Sequence, residues 1–285
     1  MDVKPLVDSI RFSNTPSISF EFFPPKSEET FSHLQDASKV LFQTEPNFVS
    51  VTYGAMGSNQ TSSLRVVEDF APRVKTVAHL TCIGSTNQGI TSLLSTYERM
   101  GVAGLLALRG DIPKDTETPP FSDFEHAIDL VRLAKAETNL EIGVAAFPEK
   151  HPESVDLAED VQVLKQKQDA GATFAITQMF FDLQSYIRLV KDARVAGVTI
   201  PILPGIMPIS NAKQVLRMAD MSGAKLPIQL LDALSKSESE AEAKRIGMAF
   251  TRDLSKELVS EGAPGIHIYT LNSPVATMEL LESLR

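Results

Sequence analysis

Short runs rich in β-branched and apolar residues recur along the chain, each closed by polar residues or glycine and most followed by a stretch with helical spacing. In order they are Ser17–Phe23, Asn47–Tyr53, Val77–Cys82, Gly104–Leu108, Glu141–Phe147, Ala172–Gln178, Ile200–Gly205 and Gly265–Tyr269. Strand-like runs that alternate with amphipathic stretches imply parallel strands joined by helical crossovers. Eight such units predict a (β/α)8 barrel, an α/β fold whose working end is where the strands finish. Polar residues gather at those ends: Glu21, Thr52, His79, Arg109–Gly110–Asp111, Glu149 with His151, Gln178, and Tyr269 with Asn272.

The helical stretches fit between the strands. Pro24–Pro25 bars a helix, Ser27–Glu28–Glu29 starts one, and Phe31, Leu34, Val40 and Leu41 are its expected inward positions up to about Gln43. Further helices are expected near Gln60–Arg73, Thr86–Met100, Ser122–Thr138, Asp156–Ala170, Leu183–Ala196 and Ala212–Met221, with Gly101, Gly171 and Gly197 as stops. Between the seventh and eighth strands the spacing grows. Pro227–Leu234 and Glu238–Glu261 read as two added helices, the second with Ile246, Phe250, Leu254 and Leu258 on one face. No linker, low-complexity tract or repeat interrupts the alternation. The expected organisation is an N-terminal extension over 1–16 and one barrel domain over 17–285.

Bulk properties narrow the setting. A chain of 285 residues suits one such barrel. A net charge of −9 argues against a general nucleic-acid binder, since phosphate contact needs a basic face, but a few local cations can still hold an anionic ligand. The single cysteine, Cys82, precludes an intrachain disulfide and fits a reducing compartment. Met1–Pro16 lacks the apolar stretch of a secretory signal, and no apolar run approaches the ~18 residues of a membrane helix. A cytoplasmic protein without membrane partners is expected.

Several residues could carry chemistry. Glu21 shares a strand face with Ser19 and Phe23, between aromatic neighbours. Burial in such company disfavours a charged carboxylate, the condition under which a carboxylic acid serves as a general acid; pairing with an arginine or with backbone N–H groups is the structural alternative. In Leu108–Arg109–Gly110–Asp111, glycine lets the backbone approach a flat ligand and aspartate can polarise a ring system, although a plain turn has the same composition. His79 and His151 lack a third ligand at metal spacing and read as hydrogen-bonding residues; no metal is expected. Cys82 reads as a small packing residue. Asp160, Val163, Leu164 and Lys167 share a helix face, where a lone lysine is ordinarily solvated unless that face overhangs the strand ends. Gln178 offers a donor and an acceptor to the edge of a heterocycle, or to a structural network. Neither a dinucleotide Gly-x-Gly-x-x-Gly nor a phosphate-binding Gly-x4-Gly-Lys-Ser/Thr occurs.

Taken together, the strings Ser-Phe-Glu-Phe-Phe-Pro-Pro (19–25), Phe-Val-Ser-Val-Thr-Tyr-Gly-Ala (48–55), His-Leu-Thr-Cys (79–82), Ala-Leu-Arg-Gly-Asp (107–111), Ala-Ala-Phe-Pro-Glu with His-Pro-Glu (145–153), Asp-Ala-Gly-Ala with Ile-Thr-Gln (169–178), Pro-Gly-Ile-Met-Pro-Ile (204–209) and His-Ile-Tyr-Thr-Leu-Asn (267–272) resemble the 5,10-methylenetetrahydrofolate reductase family. The resemblance runs in order from about Ser17 to the C-terminus. It implies a flavoprotein barrel that reduces methylenetetrahydrofolate to 5-methyltetrahydrofolate with NADH or NADPH, by ping-pong hydride transfer through FAD, within one-carbon and methionine metabolism. By the same resemblance Glu21 protonates N10 of the folate and opens its imidazolidine ring to an iminium. Asp111 lies between flavin and pterin, while Gln178 orients the pterin or nicotinamide. Thr52, His79, Leu108, Arg109, Gly110, Asp111, His151, Asp160, Lys167 and Tyr269 match positions that hold FAD, and Tyr269 also belongs to the substrate set.

Departures from the family pattern are His126 and Phe147 in place of cofactor-facing tyrosines, Val163 and Gln166 in place of polar residues near the dinucleotide, and Ser273 in place of a common arginine. Met218 stands where some bacterial relatives stack a phenylalanine on the substrate. Because the chain ends just after the barrel, inhibition by S-adenosylmethionine is not expected. Pro227–Glu261 is a candidate homo-oligomer contact, though helices that merely cover a barrel give the same pattern. Alternatives to the flavin enzyme are flavin-independent hydride transfer, a methyl-transferring pterin barrel, and a non-catalytic folate-binding barrel.

Overall fold

In the computed structural model, which describes residues 5–11, 15–53, 60–111 and 121–284, the strand-like runs form one parallel sheet. Its strands are β1 (Ser17–Phe22), β2 (Phe48–Val51), β3 (Thr76–Thr81), β4 (Gly104–Leu108), β5 (Glu141–Ala146), β6 (Phe174–Thr177), β7 (Ile202–Leu203), β8 (Gly205–Ile206) and β9 (Gly265–Tyr269). Each strand from β1 to β6 pairs with its successor, β7 pairs with β6, and β8 pairs with β9, which returns to β1. The seventh expected strand is therefore present as two short pieces on either side of Pro204. Proline has no N–H for a ladder, but its carbonyl accepts from His267 N–H at 2.9 Å. The two pieces act as one stave, and the eight staves close into a (β/α)8 barrel.

Helices α1 (Leu6–Arg11), α2 (Glu28–Phe42), α3 (Gln60–Phe70), α4 (Asn87–Arg99), α5 (Ala127–Glu137), α6 (Leu157–Asp169), α7 (Leu183–Val195), α8 (Ala212–Ser222), α9 (Ile228–Ser235), α10 (Glu240–Ser260) and α11 (Pro274–Leu284) accompany the strands. Their ends follow local chemistry. Ser27, Asp156 and Asp182 accept backbone N–H bonds at the starts of α2, α6 and α7, and Gly101, Gly171 and Gly197 follow α4, α6 and α7 at φ 74°, 125° and 83°. Two expectations need correction. The helix read from Ser122 begins only at Ala127, because Ser122 Oγ donates to Cys82 O (3.0 Å) and Asp123 Oδ2 accepts from Asn87 N–H (2.8 Å), holding that stretch as a turn. In α2, Ala37 and Ser38 take the inward face beside Phe31, Leu34 and Leu41, leaving Val40 42% exposed.

Burial sorts the strand residues by alternation. Outward residues such as Phe20, Phe22, Val49, Val51, Ala78, Leu80 and Cys82 pack beneath the helices in the main core. Inward residues Phe48, Val77, Leu106, Phe174, Ile176 and Leu203 fill the barrel's lower interior together with Leu6 and Ile10 of α1. The N-terminal segment thus plugs the barrel from below. Val7 N–H donates to Glu141 Oε2 (2.9 Å) and Asn47 Nδ2 donates to Ser9 O (3.2 Å). A second cluster built on Met179, Phe181, Met207, Ile209, Val215 and Leu230 seats α8 and α9 beside the upper end. Gly54 and Ala55 of the second motif, and residues 1–4 and 12–14 of the N-terminal segment, lie outside the described residues. Among the described residues no helix is long and apolar enough to cross a membrane.

Candidate functional site

Above the apolar plug the inward residues turn polar. Parallel register sets Glu21 of β1 beside Ser50 of β2 and Tyr269 of β9, with Ser19 beside His267 one layer lower. Thr270 fixes the carboxylate's backbone, its Oγ1 donating to Glu21 O at 2.6 Å. Glu21 Oε2 then lies 3.6 Å from His79 Nε2 and 3.7 Å from His267 Nε2. His267 is fully buried and held on every side. It shares hydrogen bonds with Ser19 Oγ (Nδ1, 2.8 Å) and Ser50 Oγ (Nε2, 3.4 Å), and Phe48 stacks on its ring at 5.7 Å and 17°. Burial lowers the His79 imidazole to about 4, against the opposing pull of Glu21, so the ring is neutral at neutral pH.

Tyr269 crosses from β9 toward β6. Its hydroxyl donates to Thr177 O at 2.6 Å, and burial, reinforced by the nearby Glu21, raises the phenol well above its usual range. Gly205 makes room for that ring, since a Cβ there would meet Thr177 O at 2.5 Å and the Tyr269 hydroxyl at 2.6 Å.

A second group forms the rim. Arg109, after β4, forks onto Glu153, with Nη1–Oε2 at 2.5 Å and Nη2–Oε1 at 2.7 Å. His151 N–H donates to Asp160 Oδ2 (2.9 Å), Ser154 Oγ donates to Asp160 Oδ1 (2.6 Å), and Phe147 meets the His151 ring edge-on at 4.7 Å. Burial lowers the His151 imidazole, while Glu153 and Asp160 pull the other way. Lys167 departs from the solvated lysine that its helix position first suggests. It is only 9% exposed, and burial lowers its ammonium to about 8 despite the nearby Asp160. The intervening loop is anchored: Lys150, at φ 92°, donates its Nζ to Ser154 O, and Glu149 Oε2 accepts from Lys225 N–H at 2.9 Å, tying the loop to the turn after α8.

The remaining expected residues fall around these two groups. Thr52 directly follows β2, its N–H on Phe22 O (2.9 Å). Leu108 packs on the lower interior cluster. Gly110 adopts φ 89° where a Cβ would meet Ile83 Cγ2 at 2.8 Å, and Asp111 is exposed at the mouth beyond it. Gln178 shares a small pocket with Phe147, Glu149 and Gly223, its Oε1 accepting from Met179 N–H at 2.9 Å. Met218 packs half-buried on the second cluster together with Tyr269. His126 occupies the exposed N-cap position of α5, its backbone N–H donating to Asp129 Oδ2 at 3.0 Å. Asn272 pins the end of β1, with Nδ2 donating to Phe23 O and Oδ1 accepting from Phe23 N–H. His267 and Glu153 are absent from the sequence-derived set. Alternation from Tyr269 puts His267 on the inward face, the signal that marks it; Glu153 closes the His-Pro-Glu string, but nothing in that string points to Arg109 as its partner.

Comparisons with known proteins agree along the whole chain. The family model for methylenetetrahydrofolate reductase matches residues 6–285. The 5,10-methylenetetrahydrofolate reductase of Escherichia coli K12 is 37% identical over 259 residues, covering 90% of this chain and 86% of its own. Methylenetetrahydrofolate reductase (NADH) 1 of Arabidopsis thaliana is 34% identical over 300 residues, covering all of this chain and 51% of its own. A Clostridium thermocellum protein solved with two copies of 5-methyl-5,6,7,8-tetrahydrofolic acid shares the fold at TM-score 0.64 and 13% identity, over 95% of this chain and 94% of its own. By its sequence over residues 6–285 and by the barrel it builds, this chain belongs to the methylenetetrahydrofolate reductase family.

Proposed function

We propose that the barrel mouth holds FAD and that Glu21 is the acid that opens the folate ring while NADH or NADPH supplies the reducing equivalents. The family reduces 5,10-methylenetetrahydrofolate; the flavin and the residue roles are the proposal. One observation carries it: at the end of the barrel where such folds do their chemistry, a carboxyl stands on a polar floor 3.6 and 3.7 Å from two buried imidazoles.

The residues present suit a flavin dinucleotide. A diphosphate calls for cations, and Arg109 and Lys167 share one rim around Glu153 and Asp160 with His151, whose imidazole adds a hydrogen-bonding group. A flat ring system calls for close backbone approach, which Gly110 at φ 89° permits. Thr52, His79, Leu108, Asp111, His126, Phe147, Asp160 and Tyr269 complete the proposed set. Bound there, the flavin would supply two-electron hydride transfer, with nicotinamide and folate taking its open face in turn.

The chain's own groups do the rest. Glu21 gives its proton to N10 of the folate, a step worth ~10²–10⁴-fold when the acid is well placed. The Asp111 carboxylate favours the cationic iminium that follows. Gln178, whose Oε1 is taken by Met179 N–H, offers its NH2 to a heterocycle edge. Met218 and the Tyr269 ring give that heterocycle an apolar wall.

The test is spectroscopic. Purified protein should be yellow, bleach anaerobically with NADH or NADPH, and regain colour on adding methylenetetrahydrofolate. A colourless protein that still turns over would overturn the flavin assignment.

A further inference from the structure

The turn after β5 carries a carboxylate outside the proposed cofactor set. Glu153 is 57% exposed at its side chain, yet it forks onto both Nη groups of Arg109, which is only 22% exposed. Isolated surface ion pairs contribute little, and a two-point fork on a largely covered guanidinium is the exception. We infer that Glu153 is a positioning residue for the dinucleotide, holding the Arg109 guanidinium in the direction from which it meets a phosphate. The inference rests on the reading of this rim as the diphosphate site of FAD.

The backbone beneath Glu153 is tied on every side. His151 N–H donates to Asp160 Oδ2 at 2.9 Å, Ser154 Oγ donates to Asp160 Oδ1 at 2.6 Å, and Ser154 N–H returns to His151 O at 3.1 Å. Glu153 N–H itself donates to His151 Nδ1 at 3.2 Å, and Phe147 meets that ring edge-on. The carboxylate thus reaches the end of β4 from a fixed base. The hydrogen bond from Arg109, with His151 and His126 nearby, holds its carboxyl below the usual range, so the fork stays charged at neutral pH. A guanidinium has five N–H groups. Arg109 turns Nε–H onto Gly110 O at 3.3 Å and gives one N–H from each Nη to Glu153, which leaves one on each for a phosphate oxygen. Two opposed effects set the sign. A free arginine loses side-chain freedom when it grips an anion, and the fork has already removed that freedom. The carboxylate also repels a diphosphate, but at more than half exposure water and salt screen that repulsion. Ordering wins, and Glu153 tightens the dinucleotide rather than loosening it.

The test titrates flavin-free protein with FAD and with riboflavin, which lacks the diphosphate, and follows the quenching of flavin fluorescence. Glu153→Ala should weaken FAD ~10-fold, whereas Glu153→Gln, which keeps an acceptor of the same reach, should weaken it no more than about threefold. Riboflavin affinity should stay within about twofold of wild type in both variants. In an Arg109→Ala background, Glu153→Ala should shift FAD affinity by less than about twofold, because the group it positions is gone. FAD affinity in Glu153→Ala equal to or above wild type overturns the inference. So does an equal loss of riboflavin, or the full loss of FAD affinity recurring in the Arg109→Ala background. The two failures are separable: wild-type protein that takes up no FAD overturns the flavin reading itself, while wild type that binds FAD beside an unaltered Glu153→Ala overturns only the role of Glu153. Should Glu153→Ala fail to fold, Glu153→Asp, whose carboxylate stops one methylene short of the fork, should weaken FAD at least about threefold. Wild-type affinity in that variant overturns the inference.

Discussion

Lys167 shows how far a single environment can move a side chain. Its ammonium is pushed down to about 8 by burial, against 10.5 for the free group. A folded-state value below the unfolded one means that the charge opposes folding at lower pH, so stability of the flavin-free protein should rise between about pH 8 and 10.5. If Lys167 grips the diphosphate, flavin affinity should fall over the same interval. Thermal unfolding of the flavin-free protein and flavin titration, each followed from pH 7 to 10, should therefore show opposite trends. Lys167→Met should stabilise the flavin-free protein by about 1–3 kcal/mol while weakening flavin binding; a flavin affinity equal to wild type would remove Lys167 from the cofactor set. Helical spacing alone aligns Lys167 with Asp160, but nothing in the sequence states that this face is covered. His267 was legible by alternation from Tyr269, yet its fully enclosed hydrogen bonds to Ser19 and Ser50 depend on the register between β9, β1 and β2. That register exists only once the barrel closes.

At the scale of elements, the β-branched runs were sufficient to locate the staves, because inward and outward faces are both covered and each strand reads as an apolar string. The seventh stave is the instructive exception. Pro204 breaks the ladder, and Gly205 beside it yields its side-chain space to Tyr269. Gly205→Ala should cost about 1–3 kcal/mol or more and expel the Tyr269 ring, seen as an altered near-ultraviolet tyrosine signal; unchanged stability and spectrum would contradict the packing described. Helix α1 was not legible, since a single turn and a half carries too little periodicity to register. Its Leu6 nonetheless reaches the barrel interior at 2% exposure. Leu6→Ala should lower stability by about 2–5 kcal/mol, measured by denaturant unfolding, whereas a loss below ~0.5 kcal/mol would show that α1 does not plug the barrel. Val40 fell on the wrong face in the sequence reading because α2 seats small residues, Ala37 and Ser38, against the barrel where a larger one was expected.

The whole molecule joins these parts into one polar mouth above one apolar plug. The lower interior is filled by Phe48, Phe174, Leu106 and the α1 residues, so ligands have the upper end alone. Nicotinamide and folate that share that mouth should exclude each other, giving parallel lines in double-reciprocal plots and mutual competition for the enzyme; intersecting lines would argue for a ternary complex. The fold and the family were readable from ordered strings spread along all the staves, because each string sits at a strand end and the barrel brings those ends together. What gathers around them, from the Arg109–Glu153 fork to the sealed His79 nitrogen, arises from contacts across 44 residues and more than one strand and leaves no local mark. The central claim is that the floor carboxyl protonates the folate. Stopped-flow measurement of the two half-reactions of Glu21→Gln tests it most directly: bleaching by nicotinamide should proceed near the wild-type rate, while reoxidation by methylenetetrahydrofolate should slow by at least ~10²-fold. Reoxidation at the wild-type rate would contradict the account.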